Sequence, residues 1–145
     1  MKVLPCGDRA VLLDCADLDE ARSWHAALAT DPDLQAVLGA QTVMVRGEPA
    51  ALRALIAKTT PADLSQAPTQ DVAIEVTYDG EDLAAVAHLT GLSIREVVAA
   101  HTQTPWTVGF GGFAPGFAYL VGGDPRLQVP RRERPRPLVP AGAVG

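Results

Sequence analysis

The sequence predicts an α+β fold in two parts, on three observations. Strand-like and helix-like stretches alternate through the first sixty of 145 residues. A polar stretch with two prolines, PADLSQAPTQ at 61–70, then interrupts the pattern. Beyond it, a period-two run precedes two helical ones and a glycine- and aromatic-rich segment. The expected organisation is an N-terminal α+β domain over 1–60, a linker over 61–70 and a second domain over 71–145.

The elements follow in order. VLPCGDRAVLLDC reads as two short strands about a turn at Gly7-Asp8. Asp17, three residues before Glu20, gives a capping-box-like helix start, and Leu18, Ala21, Trp24 and Leu28 follow at helical spacing until Asp31-Pro32. LQAVLGAQTVMVRG gives strand, Gly39 turn, strand. Pro49 opens a helix with Leu52, Leu55 and Ile56 on one face, and Thr60-Pro61 ends it. After the linker, Val72, Ile74, Val76 and Tyr78 alternate with Ala73, Glu75 and Thr77, the pattern of a half-buried strand. EDLAAVAHLTG is a helix stopped by Gly91, and Ser93 with Glu96 forms a capping box opening SIREVVAAHT. PWTVGF is a strand leading into the aromatic segment.

Composition narrows the function classes. Hydrophobic residues make up 48% and charged residues 20%, a globular balance. No apolar run reaches the roughly 18 residues of a membrane span, and Asp8 and Arg9 interrupt any signal-peptide core, so a soluble, cytoplasmic chain is expected. Cys6 and Cys15 lack any C-x-x-C or Cys/His spacing; reduced, buried thiols without a metal are expected. The net charge of −5 argues against nucleic acid. It is unevenly spread: residues 1–125 carry 7 Lys/Arg against 16 Asp/Glu, whereas residues 126–145 carry 5 Arg against one Glu. An anion site near the end of the sequence fits that asymmetry.

Five of the seven aromatic residues, Trp106, Phe110, Phe113, Phe117 and Tyr119, fall in or beside GFGGFAPGFAYL at 109–120. Pro115 and four glycines oppose a helix there. The segment formally matches a dinucleotide fingerprint, but Pro115-Gly116 interrupts the required helix, and Arg131 and Arg132 stand where an acid belongs. Two readings stay open: a tight corner plugged by phenyl rings, or backbone N–H groups approached by an anion. The run that follows, DPRLQVPRRERPRPLVP, repeats proline every five residues and supplies Arg126, Arg131, Arg132, Arg134 and Arg136, whose guanidinium forks suit carboxylates and phosphates. A solvated tail or a proline-rich docking segment is the plainer reading. His25 and His88 read as structural; His101, just before the aromatic segment, stands between a structural and a site role.

Taken together, GDRAVLL, YDGEDLAAVAHLTGLSIREVVAAHT, FGGFAPGFAYL and VPRRERPRPLVPAGAVG resemble the KipI family, whose members are also called the B subunit of bacterial 5-oxoprolinase or allophanate hydrolase subunit 1. The resemblance runs through the chain in order. It implies a small N-terminal α/β domain followed by a cyclophilin-like β-barrel, here stopping before the end of the second domain. It also implies a KipA-like C subunit of 5-oxoprolinase as partner and ATP as co-substrate for opening 5-oxoproline to glutamate. Inhibition of a sensor histidine kinase and half of a urea carboxylase-type carboxyltransferase are the alternatives it carries. The recurrent positions fall on His101, Gly112, Phe113, Pro115, Gly116, Phe117, Tyr119, Arg131, Arg132 and Arg136. The resulting expectation is that the glycine segment and arginines hold 5-oxoproline or a similar small anion under the rings, with His101 or Tyr119 handling a proton. Ala143 departs from the family's usual serine.

Overall fold

A computed structural model describes residues 1–65 and 70–144. Residues 66–69, within the expected linker, lie outside the described residues. The chain divides into a first unit, Met1–Gln70 with Val108–Leu120, and a second, Asp71–Thr107 with Val121–Gly145.

Strands β1 (Lys2–Pro5), β2 (Ala10–Asp14), β3 (Gln35–Leu38) and β4 (Thr42–Arg46) form an antiparallel sheet in the order β1-β2-β4-β3. Its register sets Val11 opposite Val45 and Leu13 opposite Val43. All four are fully buried. Helices α1 (Leu18–Leu28) and α2 (Pro49–Ile56) bring Ala21, Trp24, Leu28, Leu52 and Ile56 into the same cluster. Each fully buried apolar side chain contributes roughly 1.5–3 kcal/mol, so this cluster is the main source of stability in the first unit. The other sheet face carries an in-register stripe of Leu4, Leu12, Met44 and Val37, with Leu4 and Val37 exposed.

The helix starts are chemically specified. The Asp17 side chain accepts from the Glu20 amide at 2.8 Å, while the Glu20 carboxylate reaches back to the Ala16 amide at 2.6 Å. The return arm thus lands one residue before that of a regular capping box. Glu48 caps α2 by accepting from Ala50 and Ala51, a cap the sequence reading missed. Cys15 is buried and Cys6 half-buried; both thiols are free, and burial pushes the Cys15 thiol up.

In the second unit, α3 (Leu83–Thr90) stops at Gly91, and α4 (Ile94–Gln103) opens on the full capping box of Ser93 and Glu96. A short 3₁₀ turn, Pro125–Leu127, packs against both helices. A hairpin of β5 (Trp106–Gly111) and β6 (Ala118–Gly122) spans residues of both units.

Two expectations are corrected. The alternating run at 72–78 is not a ladder strand, and Val72 and Ile74 remain 72% and 78% exposed. Alternation specifies which residues share a face but supplies no neighbouring strand, and among the described residues none pairs with this run. The aromatic segment, read as an irregular loop after one strand, instead returns as β6. Among the described residues the strands form one four-stranded sheet and one two-stranded sheet, not a closed barrel. No single helix among them is long and apolar enough to cross a membrane.

Candidate functional site

Loop residues 112–117 join β5 to β6. The Gly112 amide donates to the Phe117 carbonyl at 3.2 Å, and the Phe117 amide to the Ala114 carbonyl at 3.0 Å. Phe110 and Tyr119 stack at 4.5 Å with their planes 13° apart. Phe117 meets Tyr119 edge-on at 5.1 Å, and Phe113 meets Phe117 at 5.4 Å. Offset and edge-on contacts of this kind match the quadrupoles of the rings. The cluster is not a sealed plug: Phe113 is 88% exposed, and Phe117 and Tyr119 also face solvent. Gly112 sits beneath the stacked pair, where an added Cβ would lie 3.4 Å from the Tyr119 ring. Gly116 has φ +77°, a left-handed conformation that favours glycine. Pro115 lies in the same turn. Phe113 also adopts φ +66°, although it is not a glycine.

Within the second unit, Arg126, Arg132 and Arg136 do not project as free forks. Arg132 Nη1 lies 2.6 Å from Asp82 Oδ1. Arg136 places Nη2 within 2.8 and 2.7 Å of the two Asp82 oxygens, and its Nη1 lies 2.7 Å from Glu81. Both acids immediately precede α3, which gathers the proline-rich run onto the start of that helix. Arg131 and Arg134 are exposed and enter no ion pair among the described residues. Arg126 forks onto Asp124, and this guanidinium holds the Asp124 carboxyl at about 2.

His101 occupies the last turn of α4. Its Nδ1 lies 2.6 Å from the Tyr78 hydroxyl, and its carbonyl accepts from the Trp106 indole at 3.0 Å. Gly123 allows this packing: at φ +73°, an added Cβ would stand 2.4 Å from the Trp106 ring. The structure therefore brings Phe113, Phe117 and Tyr119 together on the hairpin, Arg132 and Arg136 together on Asp82, and His101 against Tyr78. Sequence reasoning missed Tyr78, Glu81 and Asp82. The charge asymmetry was a signal that acids would meet the arginine run, but nothing local identified which ones.

Comparison with known proteins defines first the class and then the family. The fold superposes on the crystal structure of TTHA0988 with a TM-score of 0.73 and 32% identity, over 92% of this chain and 29% of that one. The family described as carboxyltransferase domain, subdomain C and D, matches residues 1–145, and the chain belongs to it. Two proteins that carry the name of the 5-oxoprolinase B subunit are similar over 77 residues, 51% of this chain. That of Bacillus subtilis (strain 168) is 47% identical over 32% of its own length; that of Escherichia coli O157:H7 is 48% identical over 35%. The chain thus matches about a third of the length of these curated relatives.

Proposed function

We propose that this chain acts as the B subunit of an ATP-dependent 5-oxoprolinase, working in the cytoplasm with a KipA-like C subunit to open 5-oxoproline to glutamate. The observation that carries this reading is the 47–48% identity to proteins bearing the B-subunit name. In the whole protein, the second unit would belong to a cyclophilin-like domain. Arg131, Arg132 and Arg136 bind the carboxylate of a small anion. The pairing of two of these guanidinium groups with the Asp82 carboxylate supports this assignment. Of the two candidates for handling a proton, Tyr119 keeps that role, and His101 is left to donate a hydrogen bond to the substrate. Gly112, Phe113, Pro115, Gly116 and Phe117 offer ring faces and backbone N–H groups to an apolar or oxyanionic ligand surface.

Reconstitution with the KipA-like partner and the third component of the enzyme, followed by measurement of 5-oxoproline-dependent ATP hydrolysis, tests the reading. Arg131→Ala is the cleanest variant, because no ion pair among the described residues is lost with it. A KM for 5-oxoproline raised about tenfold or more, with kcat little changed, is expected for a lost binding contact. Unchanged kinetics would defeat the arginine assignment, and absence of coupled hydrolysis would defeat the reaction. The family's description favours one second reading, half of a carboxyltransferase. Carboxyl transfer from a carboxylated biotin carrier is its assay.

A further inference from the structure

The second unit fixes His101 at two points. The indole N–H of Trp106, which is only a donor, satisfies a carbonyl in the last helical turn, where no intrahelical partner exists. The imidazole is also held by Tyr78, with ring centroids 5.8 Å apart and planes at 78°. Trp106 lies against the same imidazole at 5.4 Å.

We propose that Tyr78 is a positioning residue that keeps the ring hydrogen of His101 on Nε2, so that His101 meets a ligand as a neutral hydrogen-bond donor rather than as a base. A neutral imidazole has one donor and one acceptor nitrogen. A phenol donates readily and accepts weakly, because its oxygen lone pair is conjugated with the ring. The 2.6 Å contact at Nδ1 is therefore an O–H···N bond, and the imidazole hydrogen sits on Nε2. The reverse arrangement would leave the phenol hydrogen without an acceptor among the described residues, since Tyr78 has no second hydrogen-bond partner among them. Nε2 has no partner among them either, and no side-chain nitrogen or oxygen among them is both buried and unpartnered. Nε2–H consequently reaches solvent. The ligand class it suits is an oxygen acceptor, a carbonyl or carboxylate; identifying that acceptor with the lactam carbonyl of 5-oxoproline rests on the function proposed above.

The tautomer can be read without any activity. The sequence has three histidines, so long-range ¹H–¹⁵N spectra of the full chain are assignable with one His101→Gln control. In its neutral form, His101 is expected as a single tautomer protonated on Nε2, and Tyr78→Phe, which keeps the ring, is expected to give a mixture of both. A hydrogen on Nδ1 in the native chain overturns the proposal without any variant, as does an unmixed tautomer in a folded Tyr78→Phe. In the reconstituted complex, His101→Gln retains an N–H donor and should stay within about tenfold of native kcat, while His101→Ala should lose about a hundredfold. Equal losses in both variants overturn the donor role. A native complex without 5-oxoproline-dependent turnover overturns the proposed reaction, while the spectra still decide the tautomer.

Discussion

In the first unit, ten side chains from the sheet, the two helices and Cys15 meet in one apolar cluster, five of them with no exposure at all. In the second, the buried hydrophobics Ala87, Val97 and Ala100 are small, and Val72, Ile74 and Leu138 lie open to water. Directional contacts take over there: Arg132 and Arg136 on Asp82, Arg126 on Asp124, Tyr78 on His101 and Trp106 on the His101 carbonyl. Apolar area stabilises without specifying direction, whereas hydrogen-bonded pairs orient named side chains and contribute little each. The contrast teaches that one unit is built for stability and the other for positioning.

The sharpest way to break that contrast is Leu13→Ala, which leaves a cavity where exposure is 0%. A loss of about 2–5 kcal/mol is expected, read from the urea midpoint of Trp24 fluorescence; a loss below about 1 kcal/mol would show that the cluster is loosely packed. Next is Gly123→Ala, which forces a Cβ toward the Trp106 ring at a left-handed φ. It should cost about 1–3 kcal/mol and alter Trp106 emission, and an unshifted spectrum would contradict the packing described. Asp82→Asn removes the anchor of two arginines, yet solvent screens them, so about 1 kcal/mol or less is expected. A larger loss would mean these pairs are structural and would blur the distinction between the units.

The smallest effect is electrostatic. Folded Asp124 titrates at about 2 against an ordinary 3.8, because Arg126 stabilises the carboxylate. As pH falls, the unfolded chain takes up this proton first, so the contribution is complete above 3.8 and is lost on the way down to about 2. Urea midpoints across that window should fall less steeply in Asp124→Asn than in the native chain. Identical slopes would remove Asp124 from the account.

Local chemistry made much of this legible. The strands of the first sheet, the opening of α1 at Asp17, Pro49 at the start of α2 and the Ser93–Glu96 box are all dictated by residues within a few positions of one another. What could not be read was long-range. Asp82 meets Arg132 and Arg136 across 50 and 54 residues, and Tyr78 meets His101 across 23; no periodicity encodes such meetings. The run at 72–78 failed for a related reason, since alternation describes one strand while a ladder needs two. Among the candidate residues, the aromatic cluster and, separately, the arginine cluster were visible as composition, but the acids already occupying two of the arginines were not.

The backbone at Phe113 has an engineering corollary. Left-handed geometry at a residue with a Cβ costs about 1 kcal/mol or more, and a benzyl group held 88% in water returns almost nothing. Whoever wishes to harden this chain against heat should therefore exchange that residue for glycine or asparagine. The tougher molecule would lose the most accessible ring on its hairpin, so thermal resistance and whatever that ring touches would be traded against each other at a single codon.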